Sequence, residues 1–511
     1  MKKTILIGGK AGQGPNVLSE IIALGLLEEG YHVFYSRDYQ SLIRGGHNFN
    51  ILTFSDKPIS SNESKIDILI CLDEKTKEIH KKILRSSSLT LDFKQGEDNM
   101  FYAGRLFRAL GLSLENLERQ LKKIDKYEEN IEEAKKGFNF ENKKIKLDKP
   151  KKEKINISFL NGSQAISLGA IKSGLDFYYA YPMTPATPIM FELGQETLKK
   201  ENKHKVVELE SEIAVINAAL GSSMIGKFAM VGTSGGGFDL MTEALSMSGM
   251  AEIPIVIYLA QRPGPSTGVA TYTGQGDLKL ALNSGHGEFS RIVIAPGDPE
   301  EAEEAVNLCF YLSEKFRIPC ILLGDKNLGE SKYTITEKPK LMKIEKAKLW
   351  PRKFNSYEHD AEGIATEEAS LIKKNFEGRN KKSKDIEKEM EKLECLKVYG
   401  DEKSKKVIIG WGSTKGAIIN ALESLELNSN LDLKFIQILF LEPFSSKLVE
   451  EIKKHKPEDI ILIENNATGP LADLISEKTL IKIPEKNKIL KYDARPFFSD
   501  ELAREIERRV K

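Results

Sequence analysis

Cysteine is scarce. The 511 residues hold four, Cys71, Cys309, Cys320 and Cys395. They lie far apart and form no CxxC pair, so neither an iron–sulfur cluster nor a structural zinc is expected within this chain. A surplus of one charge sign is missing too: 76 Lys plus Arg face 75 Asp plus Glu, for a net charge of +1. A dedicated nucleic-acid binder normally carries a clear basic excess, so that class is set aside. No apolar run approaches the roughly 20 residues that cross a bilayer; the longest, Ile253 to Ala260, is strand-sized. The apolar stretch at the N-terminus is too short for a signal peptide. The seven histidines show no HxxxH spacing, so His47 and His286 read as hydrogen-bonded loop residues and no metal site is expected. A cytoplasmic protein, reduced and without membrane contact, fits these absences.

What remains is ordinary for a soluble protein, at 40% hydrophobic and 30% charged residues. The length corresponds to about three domains of roughly 150 residues each. Thr4 to Gly8, the glycine turn to Gly14 and the apolar-periodic stretch Val17 to Leu27 read as strand, turn and helix. Further strands are expected at Tyr31 to Tyr35 and Ile68 to Leu72, then helix from Leu114 to Lys136. Residues 141–154 are lysine-rich and read as a solvated linker between a first α/β domain, 1–140, and a second, 155–333. The second alternates strands (Phe177–Ala180, Lys205–Leu209, Phe228–Val231, Ile255–Leu259, Ile292–Ala295, Cys320–Leu323) with helical patterns, which predicts a mostly parallel sheet covered on both faces. Asp298 is placed to cap a helix that opens with Pro299. Residues 334–405 read as a charged inter-domain excursion with some helix, and 406–511 as a smaller α/β domain. The fold class is therefore multi-domain α/β.

Several motifs sit where parallel sheets bind ligands, at the C-terminal ends of strands. The glycine turn containing Gly9, Gly12 and Gly14 could bring backbone N–H groups to a phosphate, although its spacing is neither GxGxxG nor a Walker loop. Gly232-Thr-Ser234-Gly-Gly236 matches GxSxG, so a serine hydrolase using Ser234, with His286 and Asp325 or Asp277, stays open. Glu208, Glu210 and Glu212 alternate, which in a strand would crowd three carboxylates on one face; the stretch reads either as a strand end leading into a helix near Ser211 or Glu212, or as holding one carboxylate withdrawn from water with its pKa raised. Tyr181-Pro182-Met-Thr184-Pro is a proline-stiffened loop with a hydroxyl suited to substrate contact. Arg262, at a strand's C-terminal edge, can pair with a carboxylate.

In this order along nearly the whole chain, these motifs resemble the 2-oxoacid:ferredoxin oxidoreductases, specifically an α subunit preceded by a fused γ domain. The carrying residues are Tyr181 to Pro185, Glu208 to Ala214, Thr233 to Phe238, Gln261 to Gly268, Ser284 to Gly287, Ala295 to Pro299, Ser356 to Asp360, Gly410 to Thr414 and Tyr492 to Pro496. Gly8 to Gly14 and Arg44-Gly45-Gly46 resemble the γ domain. The resemblance implies a pyrimidine-binding-type α domain and a transketolase-C-terminal-like last domain. It implies CoA-dependent oxidative decarboxylation of a 2-oxoacid to acyl-CoA and CO2, with ferredoxin reduced and thiamine diphosphate as cofactor. The substrate leans to 2-oxoglutarate, with pyruvate or a branched-chain oxoacid as alternatives. Mg2+ and a [4Fe–4S] cluster are expected on a separate β subunit, in a dimer of αβ heterodimers. Carried over, Glu212 is the carboxylate on the aminopyrimidine ring, favouring its imino tautomer; Tyr181, Pro182, Ser234 and Gly235 border the cofactor; Thr184, Arg262 and Thr271 meet the substrate. Gly9, Gly12 and Gly14 are a possible phosphate or coenzyme A loop. A non-catalytic nucleotide-binding assembly subunit is a further alternative.

Overall fold

The apolar runs become strands of three sheets in a computed structural model that describes residues 1–40, 46–148, 150, 157–347, 356–429 and 431–510. The first segment supplies β1 (Lys2–Lys10), β2 (His32–Asp38), β3 (His47–Ser55), β4 (Ile66–Cys71) and β5 (Leu84–Leu91). The central segment adds β6 (Ser158–Asn161), β7 (Phe177–Ala180), β8 (Lys205–Glu208), β9 (Ala229–Thr233), β10 (Ile255–Gln261), β11 (Ile292–Ile294), β12 (Pro319–Asp325) and β13 (Lys332–Ile335). The last contributes β14 (Leu396–Gly400), β15 (Val407–Trp411), β16 (Lys434–Ile438), β17 (Phe440–Glu442), β18 (Ile460–Glu464) and β19 (Lys488–Leu490).

The second sheet, ordered β17-β11-β12-β10-β9-β7-β8, is parallel except at β17. Every residue of β10 and β12 is buried, as expected of strands covered on both faces. Period-two alternation divides β10 between two cores. Ile257 and Leu259 pack with Val215, Ile216 and Leu220 of the helix Glu212–Met224, while Val256, Tyr258 and Ala260 pack with Ala302, Val306 and Phe310 of the helix Pro299–Phe316. The latter helix starts as expected: Asp298 caps it, its side chain accepting from the Glu301 N–H at 3.0 Å, with Pro299 in the first turn.

The first sheet departs from the expected strand list. Its order is β5-β4-β1-β3-β2-β13-β6, and β3, which pairs antiparallel with both β1 and β2, lies between the strands expected as second and third. Polar residues hid β3 from the pattern. Asn50 is buried and donates to Asn16 and Ser19, and Thr53 is buried between Thr4 and Asn62. The sheet is completed by β13 and β6, which flank the central segment and pair antiparallel with each other. Residues 141–148 carry no strand or helix, although Glu141 is buried against Arg105 at 2.9 Å. Within 334–405 lie the long helix Ala369–Met390 and β14.

The segments are welded by side chains as well as strands. The third sheet is ordered β14-β16-β15-β18-β19, and its Ile409, Trp411, Ile436 and Leu462 belong to the same core as Ile257 and Leu259. Arg495 of the last segment lies 3.8 Å from the ring centroid of Tyr272 and 2.9 Å from Asp38 of the first. Glu301 is buried and fully satisfied. Its Oε1 is 2.6 Å from Lys415 Nζ and 3.2 Å from Lys397 Nζ, and its Oε2 accepts from the Gly297 N–H at 2.8 Å and the Gln437 amide at 2.6 Å. Lys415 also bonds Asp298, the helix cap. The two lysines hold the Glu301 carboxyl well below the usual carboxylate range.

A folded-state pKa below the unfolded value means stabilisation that is present above the unfolded carboxylate pKa and lost as pH falls through the folded one. Lys415→Met leaves Glu301 with one cation in place of two, and is expected to cost about 3–5 kcal/mol. The urea midpoint at pH 7 measures this, and wild type is expected to lose its advantage over the variant progressively below about pH 4.5.

Candidate active site

The motif loops gather because their strands are neighbours. In the order β10-β9-β7-β8 the parallel strands end side by side. The Arg262 loop follows β10, the glycine turn follows β9, the Tyr181–Pro185 loop follows β7 and the Glu212 helix follows β8. One sheet edge thus carries all four, at the end where open parallel sheets present ligands.

The three alternating glutamates do not share a strand face. β8 stops at Glu208, and Glu208 and Glu210 are exposed. Ser211 caps the next helix, its hydroxyl accepting from the Ala214 N–H at 3.3 Å, and Glu212 is that helix's first residue. Glu212 alone is withdrawn from water, with 4% of its surface exposed. Its carboxylate lies against the turn after β9: a Cβ on Gly237 would stand 2.7 Å from Glu212 Oε1, closer than real Cβ contacts come. Oε1 is fully buried and has no hydrogen-bond partner among the described residues. Ser234 Oγ, at the N-cap of the short helix Gly235–Asp239, is also buried and has no hydrogen-bond partner among the described residues. Buried polar atoms are nearly always paired. Two orphans at one sheet edge mark a place where an N–H donor of a ligand fits.

Arg262 follows β10 at the same sheet edge. It is buried, donates through Nη1 to the Thr184 carbonyl oxygen at 2.6 Å, and has no carboxylate within ion-pair distance among the described residues. The hydrogen bond joins the loops after β10 and β7 and brings two expected substrate contacts together. Thr271 lies further along the Arg262 loop, half-buried, without a described hydrogen bond to Arg262. Tyr181 and Pro182 are exposed at the rim, and Thr233 Oγ1 reaches Met183 Sδ at 3.9 Å.

Asp277 was legible only as a possible hydrolase acid. Its carboxylate sits over the same glycine turn, Oδ2 lying 2.8 Å from where a Gly235 Cβ would be. Its N–H donates to Gln261 Oε1 at 3.0 Å, and Gln261 is anchored to the Gly324 carbonyl at 3.1 Å. Burial first, then the Asp239 charge, push the carboxyl up to about 6, against the opposing pull of Arg262.

The hydrolase arrangement is not assembled. Ser234 Oγ has no hydrogen-bond partner among the described residues, His286 is exposed, and Asp325 is engaged by Ser413 at 2.6 Å. His47 begins β3 and pairs through Nε2 with His80 Nε2 at 2.8 Å. Gly14 caps the helix Pro15–Glu28 at φ 75° and Gly12 takes φ 91°; together with Gly9 they stand at the end of β1 in the first sheet, without a described contact to the Glu212 site. Arg44 and Gly45 lie outside the described residues. No cluster of three or more metal-ligating side chains is present among those described, and no described helix is long and apolar enough to cross a membrane.

Comparison with known proteins places this edge in a family context. The family described as pyruvate flavodoxin/ferredoxin oxidoreductase, thiamine diphosphate-binding, matches residues 168–395, and that described as pyruvate ferredoxin/flavodoxin oxidoreductase matches residues 4–92. The α subunit of a Sulfolobus 2-oxoacid:ferredoxin oxidoreductase is 30% identical over 98% of this chain and 96% of its own length. The 2-oxoglutarate synthase subunit KorA of Methanocaldococcus jannaschii is 28% identical over 59% of this chain and 87% of its own. The 2-oxoglutarate:ferredoxin oxidoreductase of Magnetococcus marinus, solved with 2-oxoglutarate, coenzyme A and succinyl-CoA, shares the fold over the full length of both chains, with a TM-score of 0.89 at 24% identity.

The glycine turn offers a local test of the geometry. Gly237→Ala would press on Thr233 Oγ1, and on Glu212 Oε1 at 2.7 Å, and is expected to cost about 1–3 kcal/mol of stability. Gly236→Ala, where nothing lies within 4 Å of the added Cβ, is expected to be neutral or slightly stabilising. Urea midpoints of the two variants make the comparison.

Proposed function

The chain belongs to the α subunits of the 2-oxoacid:ferredoxin oxidoreductases, and we propose that within that enzyme family it supplies the pyrimidine-binding and substrate-anchoring half of a CoA-dependent 2-oxoacid decarboxylating site. The observation that carries the reading is the orphaned, buried Glu212 Oε1 against Gly237. An acceptor with no donor among the described residues suits a ring N–H, and the missing Cβ of Gly237 lets the Glu212 carboxylate lie close to the backbone. Ser234 Oγ offers a second polar contact at the same wall. The residues present therefore fit the aminopyrimidine half of thiamine diphosphate.

Thiamine diphosphate, when bound, supplies an electron sink for the carbanion left as CO2 departs. The chain's own residues do the rest. Glu212 accepts the ring N–H and fixes the tautomer, so that a proton is held at a defined nitrogen. Arg262, steadied by the Thr184 carbonyl, lacks an acidic partner of its own in ion-pair contact and takes the carboxylate of the 2-oxoacid. Thr184 and Thr271 are the hydroxyls available to orient the keto acid. 2-Oxoglutarate is the favoured substrate, supported by the likeness to the 2-oxoglutarate synthase subunit and by the ligands named for the Magnetococcus marinus protein.

The site is half of one. Tyr181, Ile213, Leu240 and Val269, each within seven residues of a site residue in the chain, are all exposed apolar side chains. Large apolar side chains gathered around a functional site mark an interaction surface. A β subunit carrying the diphosphate end, Mg2+ and a [4Fe–4S] cluster would cover this rim. Ferredoxin and coenzyme A complete the reaction.

In the complex co-expressed with its β partner, Glu212→Gln is expected to lower 2-oxoacid-dependent ferredoxin reduction by about 10²–10⁴-fold with assembly intact; near-normal turnover contradicts the assignment. Arg262→Ala is expected to raise KM for the 2-oxoacid more than tenfold, as loss of a charged hydrogen-bond partner does. Steady-state kinetics over a range of oxoacids measures both and ranks the substrates.

A further inference from the structure

Asp277 has no assigned role, yet it shares the glycine turn with Glu212 and the electrostatic neighbourhood of Arg262. Three connections fix its position. Its carboxylate is pressed on Gly235, where an added Cβ would meet both carboxylate oxygens at 2.8–3.1 Å. Its N–H is held by Gln261, the residue immediately before Arg262, and Gln261 is itself buried and tied to Gly324. The ends of the loop from 262 to 276 are therefore clamped together, which keeps the Asp277 carboxylate and the Arg262 guanidinium within electrostatic reach. They are not in ion-pair contact: no carboxylate among the described residues comes within 4.0 Å of Arg262. The cation is left for a ligand, with an acid beside it.

Resting on the reading of Arg262 as the anchor of the substrate carboxylate, we propose that Asp277 is a positioning residue that acts through Arg262: when ionised it offsets the guanidinium charge and weakens 2-oxoacid binding, and when neutral it lets Arg262 act at full strength. The charged groups facing it are few. Asp239 at the end of the glycine helix repels its ionised form, and Arg262 attracts it. Lys279 on its own helix is paired with Asp473 at 2.6 Å on the surface. Buried beside Asp239, the carboxyl titrates at about 6, in the working range of an enzyme rather than far below it. The sign follows. Above that pH Arg262 is faced by an ionised Asp277; below it, by a neutral one. A 2-oxoacid is ionised throughout this range, since free α-carboxyl groups titrate near 3.5, so any pH dependence of its binding belongs to the protein.

The test is KM and kcat for the 2-oxoacid from pH 5.5 to 8.5 in the assembled α/β complex, for wild type, Asp277→Asn and Arg262→Ala. Wild-type KM is expected to rise about tenfold across the range, one unit of ligand-induced pKa shift corresponding to a factor of ten, while kcat changes far less. Asp277→Asn is expected to keep the low-pH KM at every pH. Arg262→Ala is expected to have a high KM that no longer depends on pH. A wild-type KM that is flat with pH overturns the proposal without any variant, so a failure of Asp277→Asn to fold does not protect it. If Arg262→Ala raises KM but Asp277→Asn keeps the wild-type pH profile, Asp277 has no such role while the anchor stands. If Arg262→Ala leaves KM unchanged, the anchor itself is wrong.

Discussion

A buried carboxylate resting on a backbone that has no side chain is the contact on which the site depends. Glu212 Oε1 has given up water and gained no donor among the described residues. Leaving a buried acceptor unpaired costs about 1–3 kcal/mol. The fold sustains that cost because the pieces around the acceptor are independently stable: the Ser211 cap fixes the helix start, β9 and β10 are buried throughout, and Gly237 admits the carboxylate. On the proposed reading, this acceptor is held in place to meet the ring N–H of the cofactor, a preorganised contact.

The same sheet edge explains how distant motifs act together. Glu212, Ser234, Thr184 and Arg262 are spread over 79 positions, yet each follows a strand whose neighbours in the sheet carry the others. Parallel pairing turns separation along the chain into adjacency at one edge. The hydrogen bond from Arg262 to the Thr184 carbonyl then couples two of these loops directly. On the proposed reading, the exposed apolar side chains of Tyr181, Ile213, Leu240 and Val269 would be covered by the β subunit.

Much of this was readable from residue order. The capped helix at Asp298, the parallel central sheet and the strand-end position of each motif follow from local chemistry that tertiary packing leaves intact. What escaped did so for physical reasons. β3 is a buried strand whose Asn50 and Thr53 are satisfied by partners from other elements, so its polarity resembled a loop. The glutamate alternation read equally as a strand face or as a strand end, because the two differ only in where hydrogen bonding stops. Asp277 carried a faint signal, an acidic residue between a glycine and an apolar helical run. Its nearness to Gly235 arises from a clamp by Gln261 that no spacing rule contains.

The first sheet has a consequence for how the protein is made. β2 is flanked on one side by β3, but its other neighbour, β13, ends at residue 335. At about 5–20 residues per second, the ribosome delivers that strand roughly 15–60 s after β2 has emerged. Through that interval the nascent first domain carries an open ladder along Phe34 and Tyr35, a template on which a neighbouring chain on the same polysome could add a strand. Translation speed and chaperone cover over the central segment thus become part of what this architecture requires.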